Sequence, residues 1–387
     1  MDNIPDNSSI PLSESRTFRL LYVSNKGGTS AGESDYRLMY PRVSKLCSIV
    51  YALPEKPLSV GNEHYVQMHF GEGFRLSYLF EFLKLGMYLH ENRYKIDFVH
   101  FYSTLLILFG PIVARVASVT SIITITGLGR VFSNTNLVYK VLQRAYLLLF
   151  GIVVHITSRV LFQNHSDFTF LAKKFPNAAH KFIYIGSGTS LPIVRSKNFT
   201  MPRLKVLLVA RIMVEKGIKD FLDVAKRLSD RKSFDFILIG PGSNGNEDLL
   251  ELVKRYHSTG IITYCGELSY TDTIEEFEQA HIFFFPSFYG EGVARVLLES
   301  GFFQLCPIAY DMTFNADLIS NKRGFLVQKG DINAVTKILS ILEKKRDLLE
   351  RHARAYQEHI TNQYDIGVFA ARMDKALIDL ACEKGIG

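Results

Sequence analysis

AHIFFFPSFYGEGVARVLLE, Ala280 to Glu299, runs from an unbroken apolar stretch through a glycine turn into a helical pattern. The IFFF stretch suits a strand buried on both faces, the signature of a parallel sheet covered by helices. Gly290 and Gly292 flank Glu291, permitting a tight turn and close approach of a ligand to the backbone. The spacing predicts a helix from about Val293, and free N–H groups at its start, around Val293 and Ala294, would suit a phosphate. Glu291 can accept hydrogen bonds from sugar hydroxyls. Glu299, two turns on, can grip a vicinal diol, because a carboxylate offers several acceptor lone pairs and no competing donor. Taken alone, the pair also reads as a first-turn acid favoured by the helix dipole and a solvated helix residue.

The same alternation extends in both directions. Phe18–Val23, Phe98–Tyr102, Ser121–Thr126, Val160–Gln163 and Phe182–Ile185 read as strands in the first half. Lys205–Val209, Phe234–Ile239, Ile261–Cys265, Ile282–Pro286, Leu305–Ala309 and Gly324–Val327 do so in the second. Helical patterns such as Ile218–Leu228 and Leu249–His257 separate them. Strand–helix alternation over 387 residues, at about 150 residues per domain, predicts two doubly wound Rossmann-like α/β domains facing a cleft. The polar stretch Pro192–Pro202 marks the boundary. The expected division is 1–195, with 1–15 a disordered lead-in, then 200–365, then a helix over 366–387 packing back toward the first domain. Ligands of such sheets bind beyond the carboxyl ends of the strands.

A second motif occupies such an end. In LLVARIMVEKGI, Leu207 to Ile218, a strand is followed by Arg211 and Lys216 before a helix opens at Gly217. Two fixed cations there would balance a diphosphate, arginine with a planar fork and lysine as a point charge. The alternative is a surface loop with two solvated cations.

Together the two motifs resemble the retaining glycosyltransferases of the GT-B fold, family 4 type. FDFILIGPGS and RGFLVQKGD extend the likeness across Leu204 to Asp331, and DFVHFYS, TGLGRVF, LFQNHSD and YIGSGTSL extend it through the first half. The first-half motifs resemble the branch that extends lipid-linked surface-polysaccharide or glycan units. The resemblance implies that Arg211 and Lys216 bind the donor diphosphate. It places Glu291 and Glu299 on the donor sugar and ribose, and Gly27-Gly28 near the donor phosphate and acceptor. His100, Thr126 and Gly127 become possible acceptor or donor contacts, although no catalytic histidine can be carried onto the Thr126–Gly129 loop. The implied reaction moves a hexosyl group from a nucleotide sugar, expected to be UDP-linked, to a lipid-linked saccharide with retention and without a metal or other cofactor. A sugar-nucleotide epimerase of the same fold and a non-catalytic membrane-associated sugar-nucleotide-binding protein are the rival readings.

Charge adds a location. Residues 1–199 carry 21 Lys and Arg against 12 Asp and Glu, a balance of +9, while residues 200–387 carry 24 against 26. No carboxylate lies between Asp97 and Asp167, a span holding Arg115, Arg130, Lys140, Arg144 and Arg159. Such a half is expected to dock on an anionic membrane surface by a salt-sensitive attraction, as a peripheral protein on the cytoplasmic face; the composition reads equally as a hydrophobic core with solvated basic edges. Its basic residues are interleaved with apolar ones rather than clustered, so nucleic acid is not the expected partner. The apolar run Ala145–Ser158 is shorter than the roughly 20 residues a spanning helix needs, and no transmembrane segment is expected. Cys47, Cys265, Cys306 and Cys382 form no CxxC or Cys/His cluster, which favours a reducing compartment and suggests neither zinc nor a disulfide framework. Gly240, Gly242 and Gly245 imitate a dinucleotide fingerprint, but Glu247 and Asp248 follow where a pyrophosphate needs positive potential.

Overall fold

The computed structural model describes residues 17–25, 46–56, 64–70, 77–133, 136–189, 191, 197–289, 292–320 and 322–386. The lead-in 1–15, Gly27, Gly28, Gly290 and Glu291 lie outside the described residues. Two wholly parallel sheets organise the chain.

In the first half the strands are β1 (Phe18–Val23), β2 (Cys47–Leu53), β3 (Tyr65–Gln67), β4 (Phe98–Tyr102), β5 (Thr120–Ile125), β6 (Arg159–Phe162) and β7 (Phe182–Tyr184). The intervening helices are α1 (Tyr78–Asn92), α2 (Thr104–Val116), α3 (Gly129–Ser133), α4 (Leu137–Ile156) and α5 (His165–Lys174). In the second half the strands are β8 (Leu204–Val209), β9 (Phe234–Ile239), β10 (Thr263–Gly266), β11 (Ile282–Phe285), β12 (Cys306–Tyr310) and β13 (Phe325–Val327). Helices α6 (Ile218–Arg227), α7 (Glu247–Ser258), α8 (Tyr270–Gln279), α9 (Arg295–Phe302), α10 (Thr313–Ala316), α11 (Ile332–Lys344), α12 (Arg346–Tyr364) and α13 (Ile366–Lys384) accompany them.

The strand orders are β3-β2-β1-β4-β5-β6-β7 and β10-β9-β8-β11-β12-β13. Each sheet reverses direction once, between β1 and β4 and between β8 and β11. Such a reversal leaves a crevice at the carboxyl ends of the strands, because the loops on either side diverge to opposite faces. All four residues of β11 are buried, so IFFF is the doubly covered strand its composition suggests.

Two strands escape the sequence reading. β2 and β3 form one edge of the first sheet, where β2 alternates buried and half-buried positions before turning fully apolar. Another strand starts late: Ile261 still donates to the Tyr256 carbonyl, closing the turn at Gly260 (φ 75°), so pairing begins only at Thr263. A further difference concerns length. The sequence counts only the uncharged run Ala145–Ser158, but α4 spans 20 residues and is apolar enough to cross a membrane by length and composition. Lys140 and Arg144 interrupt the run without ending the helix, since both residues are good helix formers.

After the second sheet is complete, α13 returns to the first. Phe369, Met373, Leu377 and Leu380 pack on Leu20, Ile49, Phe98 and Ile122. The crossing is pinned by Thr189, whose N–H donates to the Tyr364 carbonyl and whose own carbonyl accepts from Ile366. Leu377 is fully buried. Leu377→Ala is therefore expected to cost about 2–5 kcal/mol, read as a lower urea midpoint by circular dichroism; an unchanged midpoint would show that α13 adds little to the first domain.

Candidate active site

The crevice between β8 and β11 gathers both sequence motifs. Beyond β8 the chain passes exposed Arg211 and makes a single helical turn over Val214–Lys216 before α6. Gly217 closes that turn at φ 70°, and a Cβ there would lie 2.2 Å from the Pro286 carbonyl oxygen. Only glycine tolerates both the left-handed backbone and that approach. The Phe288 N–H donates to the Glu215 carbonyl at 2.9 Å, tying the turn to the segment beyond β11.

Lys216 is 9% exposed. Its ammonium sits 5.0 Å above the Tyr289 ring, close enough to feel the negative face of the aromatic system. Burial first, then the neighbouring Arg211 charge, lower the Lys216 pKa to about 8, against the opposing effect of Glu215. A desolvated Lys216 beside the exposed Arg211 favours an arriving polyanion, which restores the solvation the ammonium has lost.

Glu299 lies on α9 beside Arg295, whose Nε donates to its carboxylate at 3.1 Å. Burial raises the Glu299 pKa, while the Arg295 charge and hydrogen bond oppose the shift. Ala294 precedes this helix in extended conformation, and no side chain caps the first N–H groups.

The first domain meets this segment directly. A Cβ on Gly292 would lie 1.7 Å from the Thr126 carbonyl oxygen and 3.2 Å from the Gly127 Cα. The Thr126–Leu128 loop is held in turn by Asp167, which accepts the Leu128 N–H at 2.9 Å. Asn164 fixes Asp167 reciprocally, accepting its N–H at 2.7 Å and donating to its carboxylate at 2.8 Å. LFQNHSD is thus a clamp for TGLGRVF.

Thr126, Gly127, Gly292, Arg211 and Lys216 therefore line or approach one cleft. His100 is placed differently. It lies within β4 at 1% exposure, its Nε2 within 2.6 Å of the Thr124 hydroxyl, and burial drops its pKa to about 3. A neutral imidazole packed beside Tyr22 and Tyr102 is part of the first sheet's interior. Sequence reading missed Tyr289, whose only signal was an aromatic residue beside the glycine turn, and the clamping role of Asp167. The first glycine after β9 serves packing: a Cβ on Gly240 would fall 2.0 Å from the Ala210 carbonyl oxygen. The Gly245 N–H is taken by the Glu247 carboxylate at 2.9 Å. Among the described residues, no group of three or more His, Cys, Asp or Glu is arranged to hold a metal ion.

Residues 192–359 match the family Glycosyl transferases group 1. The match covers the elements from β8 into α12. Over 169 residues the chain is 30% identical to the N,N'-diacetylbacillosaminyl-diphospho-undecaprenol alpha-1,3-N-acetylgalactosaminyltransferase of Campylobacter jejuni, 43% of this chain and 42% of that protein. The matched stretch thus spans less than half the length of that relative. Among solved structures, the sucrose-phosphate synthase of Thermosynechococcus elongatus superposes with a TM-score of 0.75 at 14% identity, covering 95% of this chain and 100% of that one. Anabaena HepE in complex with UDP superposes at 0.73 and 14% identity, covering 94% and 100%. The two parallel-sheet Rossmann-like domains are those of GT-B glycosyltransferase structures.

Lys216 sets a pH test. Its ammonium is charged below about pH 8 and neutral above, and a bound diphosphate raises that pKa. Affinity for UDP should therefore fall by up to about tenfold per pH unit as pH rises past the free-state value. Calorimetric titration from about 1 pH unit below the transition to about 1.5 units above it checks this, and Lys216→Arg, charged throughout, should flatten the slope. A flat wild-type profile would remove Lys216 from the anion site.

Proposed function

We propose that the chain is a retaining glycosyltransferase that moves a hexosyl group from a nucleotide sugar, UDP-linked, to a hydroxyl of a lipid-linked saccharide in surface polysaccharide or glycan assembly. The observation that carries the reading is the Lys216 turn locked against the segment leading to Gly292 at the second sheet's crevice. The group 1 match over the same elements supports it. A lipid diphosphate acceptor is named in the Campylobacter relative, and UDP in the Anabaena complex.

In this reading Arg211 and Lys216 face the diphosphate, whose negative charge grows as the glycosidic bond breaks. Preorganised cations act on that growth without reorganising at the moment of reaction. Glu291 holds the sugar hydroxyls and Glu299 the ribose diol, with Arg295 opposing the upward pull of burial on the Glu299 pKa. Both glutamates come from one segment, so they do not flank the sugar as a glycosidase pair would. The departing phosphate oxygen takes the acceptor proton, which delivers the acceptor to the face the leaving group vacates and retains configuration. The two cations supply the electrostatic role that a divalent ion plays elsewhere.

Incubation with a panel of nucleotide sugars, with and without lipid-linked acceptor and in the presence of EDTA, tests this directly. Glycosylated lipid is expected, with turnover reduced at least about tenfold in Lys216→Ala and Glu291→Ala. An isomerised nucleotide sugar would indicate an epimerase, binding without turnover a non-catalytic protein, and loss with chelator restored by one divalent ion a metal-dependent enzyme.

Gly292 supplies a second measurement. Any side chain at that position forces Thr126 away and holds the cleft apart. Gly292→Ala should lower turnover by about 100-fold, as a misplacement near 1 Å can, while the thermal midpoint stays near wild type. Unimpaired turnover would mean that the contact with Thr126 is dispensable.

A further inference from the structure

The first domain presents apolar side chains to solvent on one layer of helices. α2 packs against both α1 and α4. Leu137, Leu148 and Ile152 on α4, Phe80 and Met87 on α1, and Val116 on α2 are each more than half exposed. The pattern on α4 is helical: its opposite face buries Tyr146, Phe150, Val153 and Val154 in the core over the first sheet. Of its most apolar 18-residue window only 22% is buried. Exposed apolar side chains gathered on three neighbouring helices point to an interaction site rather than ordinary solvated surface.

Charge selects the occupant. The 69 residues from Phe98 to Ser166 contain no carboxylate, while Lys140, Arg144 and Arg115 are exposed on α4 and α2. On α1, Glu81 is turned onto the His69 N–H at 3.0 Å. At the carboxyl ends of α2 and α4 a cavity of about 480 Å³ is lined by Arg115, Arg159, Lys181 and Lys384, with Glu383 its single carboxylate. Apolar side chains bordered by long cations, whose stems can lie along the interface with their charges at headgroup level, match an anionic bilayer surface.

We propose that the outward face of α1, α2 and α4 is a seat for an anionic lipid bilayer, with the helices lying in the interfacial plane. α4 does not span, because Phe150 and Val154 are fully buried against the protein's own core and cannot turn to lipid. The seat deepens the proposed lipid-linked acceptor reading. It also differs from a purely electrostatic attachment. Attraction between exposed charges is screened by salt, whereas apolar insertion is not.

Flotation of the full chain with vesicles reads this contact whether or not the chain transfers sugar. Vesicles of phosphatidylglycerol with phosphatidylcholine, and of phosphatidylcholine alone, would be compared at about 0.1 M and about 1 M NaCl. Wild type should float with the anionic vesicles at both salt concentrations, and less with neutral ones. Leu148→Glu/Ile152→Glu should reduce flotation at least about tenfold at either salt concentration, and Val116→Glu on α2 should reduce it too. Circular dichroism confirms that each variant is folded. Four results would overturn the seat: complete release of wild type by salt, no flotation, equal flotation of every folded variant, or a wild-type dimer by light scattering that the same substitutions convert to monomer.

Discussion

A lysine buried at the end of a strand must be held where water is scarce without losing its proton, and the second domain is arranged around that conflict. Gly217 lets the turn carrying Lys216 press onto the Pro286 carbonyl, and the Glu215 carbonyl takes the Phe288 N–H. The turn cannot relax toward solvent without giving up this contact. Burial then lowers the ammonium's pKa to about 8, leaving it charged at neutral pH and poorly solvated, a state that an anion relieves. Arg211 stays exposed, so its charge contributes to the field without a comparable desolvation cost.

The same economy governs the opposite wall. The first carboxylate after a long acid-free span, Asp167, is committed to the Leu128 N–H and the Asn164 amide. Burial raises its pKa and these hydrogen bonds oppose the shift. Its work is to shape the loop that reaches Gly292. Where Gly292 meets Thr126, the structure supplies a carbonyl on one side and a missing side chain on the other, so the distance of approach there is set by sterics. Ser103, at φ 82° beside the first sheet's crevice, bonds Asn25 at the end of β1. Backbone held in so sparsely populated a region persists only where its surroundings over-determine it.

The two halves divide charge and exposed apolar surface between them. The acid-poor half carries the apolar helical layer, and the half with balanced charge carries the cation pair. The final helix, α13, joins them, since it belongs to the second half in sequence and to the first sheet's core in space. Relative movement of the domains therefore involves the Tyr364–Ile366 junction and its bonds to Thr189 as well as the connection between β7 and β8.

Sequence alone determined much of this. Apolar runs such as IFFF, separated by amphipathic patterns, dictate parallel sheets because no other arrangement buries both faces of such a strand. The order of motifs placed Arg211 and Lys216 at a strand end, since a strand followed by a loop and helix leaves little choice. Edge strand β3 was not legible, because three residues carry almost no periodic signal. The role of Gly292 was not legible either, since its partner Thr126 lies far away in the chain. The family resemblance made His100 a possible acceptor or donor contact, while its place at a strand end suited a structural histidine equally; the packing of β5 and two tyrosines puts the side chain in the sheet's interior. Likewise the charges on α4 concealed its length in the sequence. Which of its faces meets the core depends on how the neighbouring helices cover the sheet. Local pattern specifies elements and their ends; burial, cross-domain approach and pKa arise from contacts between distant segments, which tertiary structure alone creates.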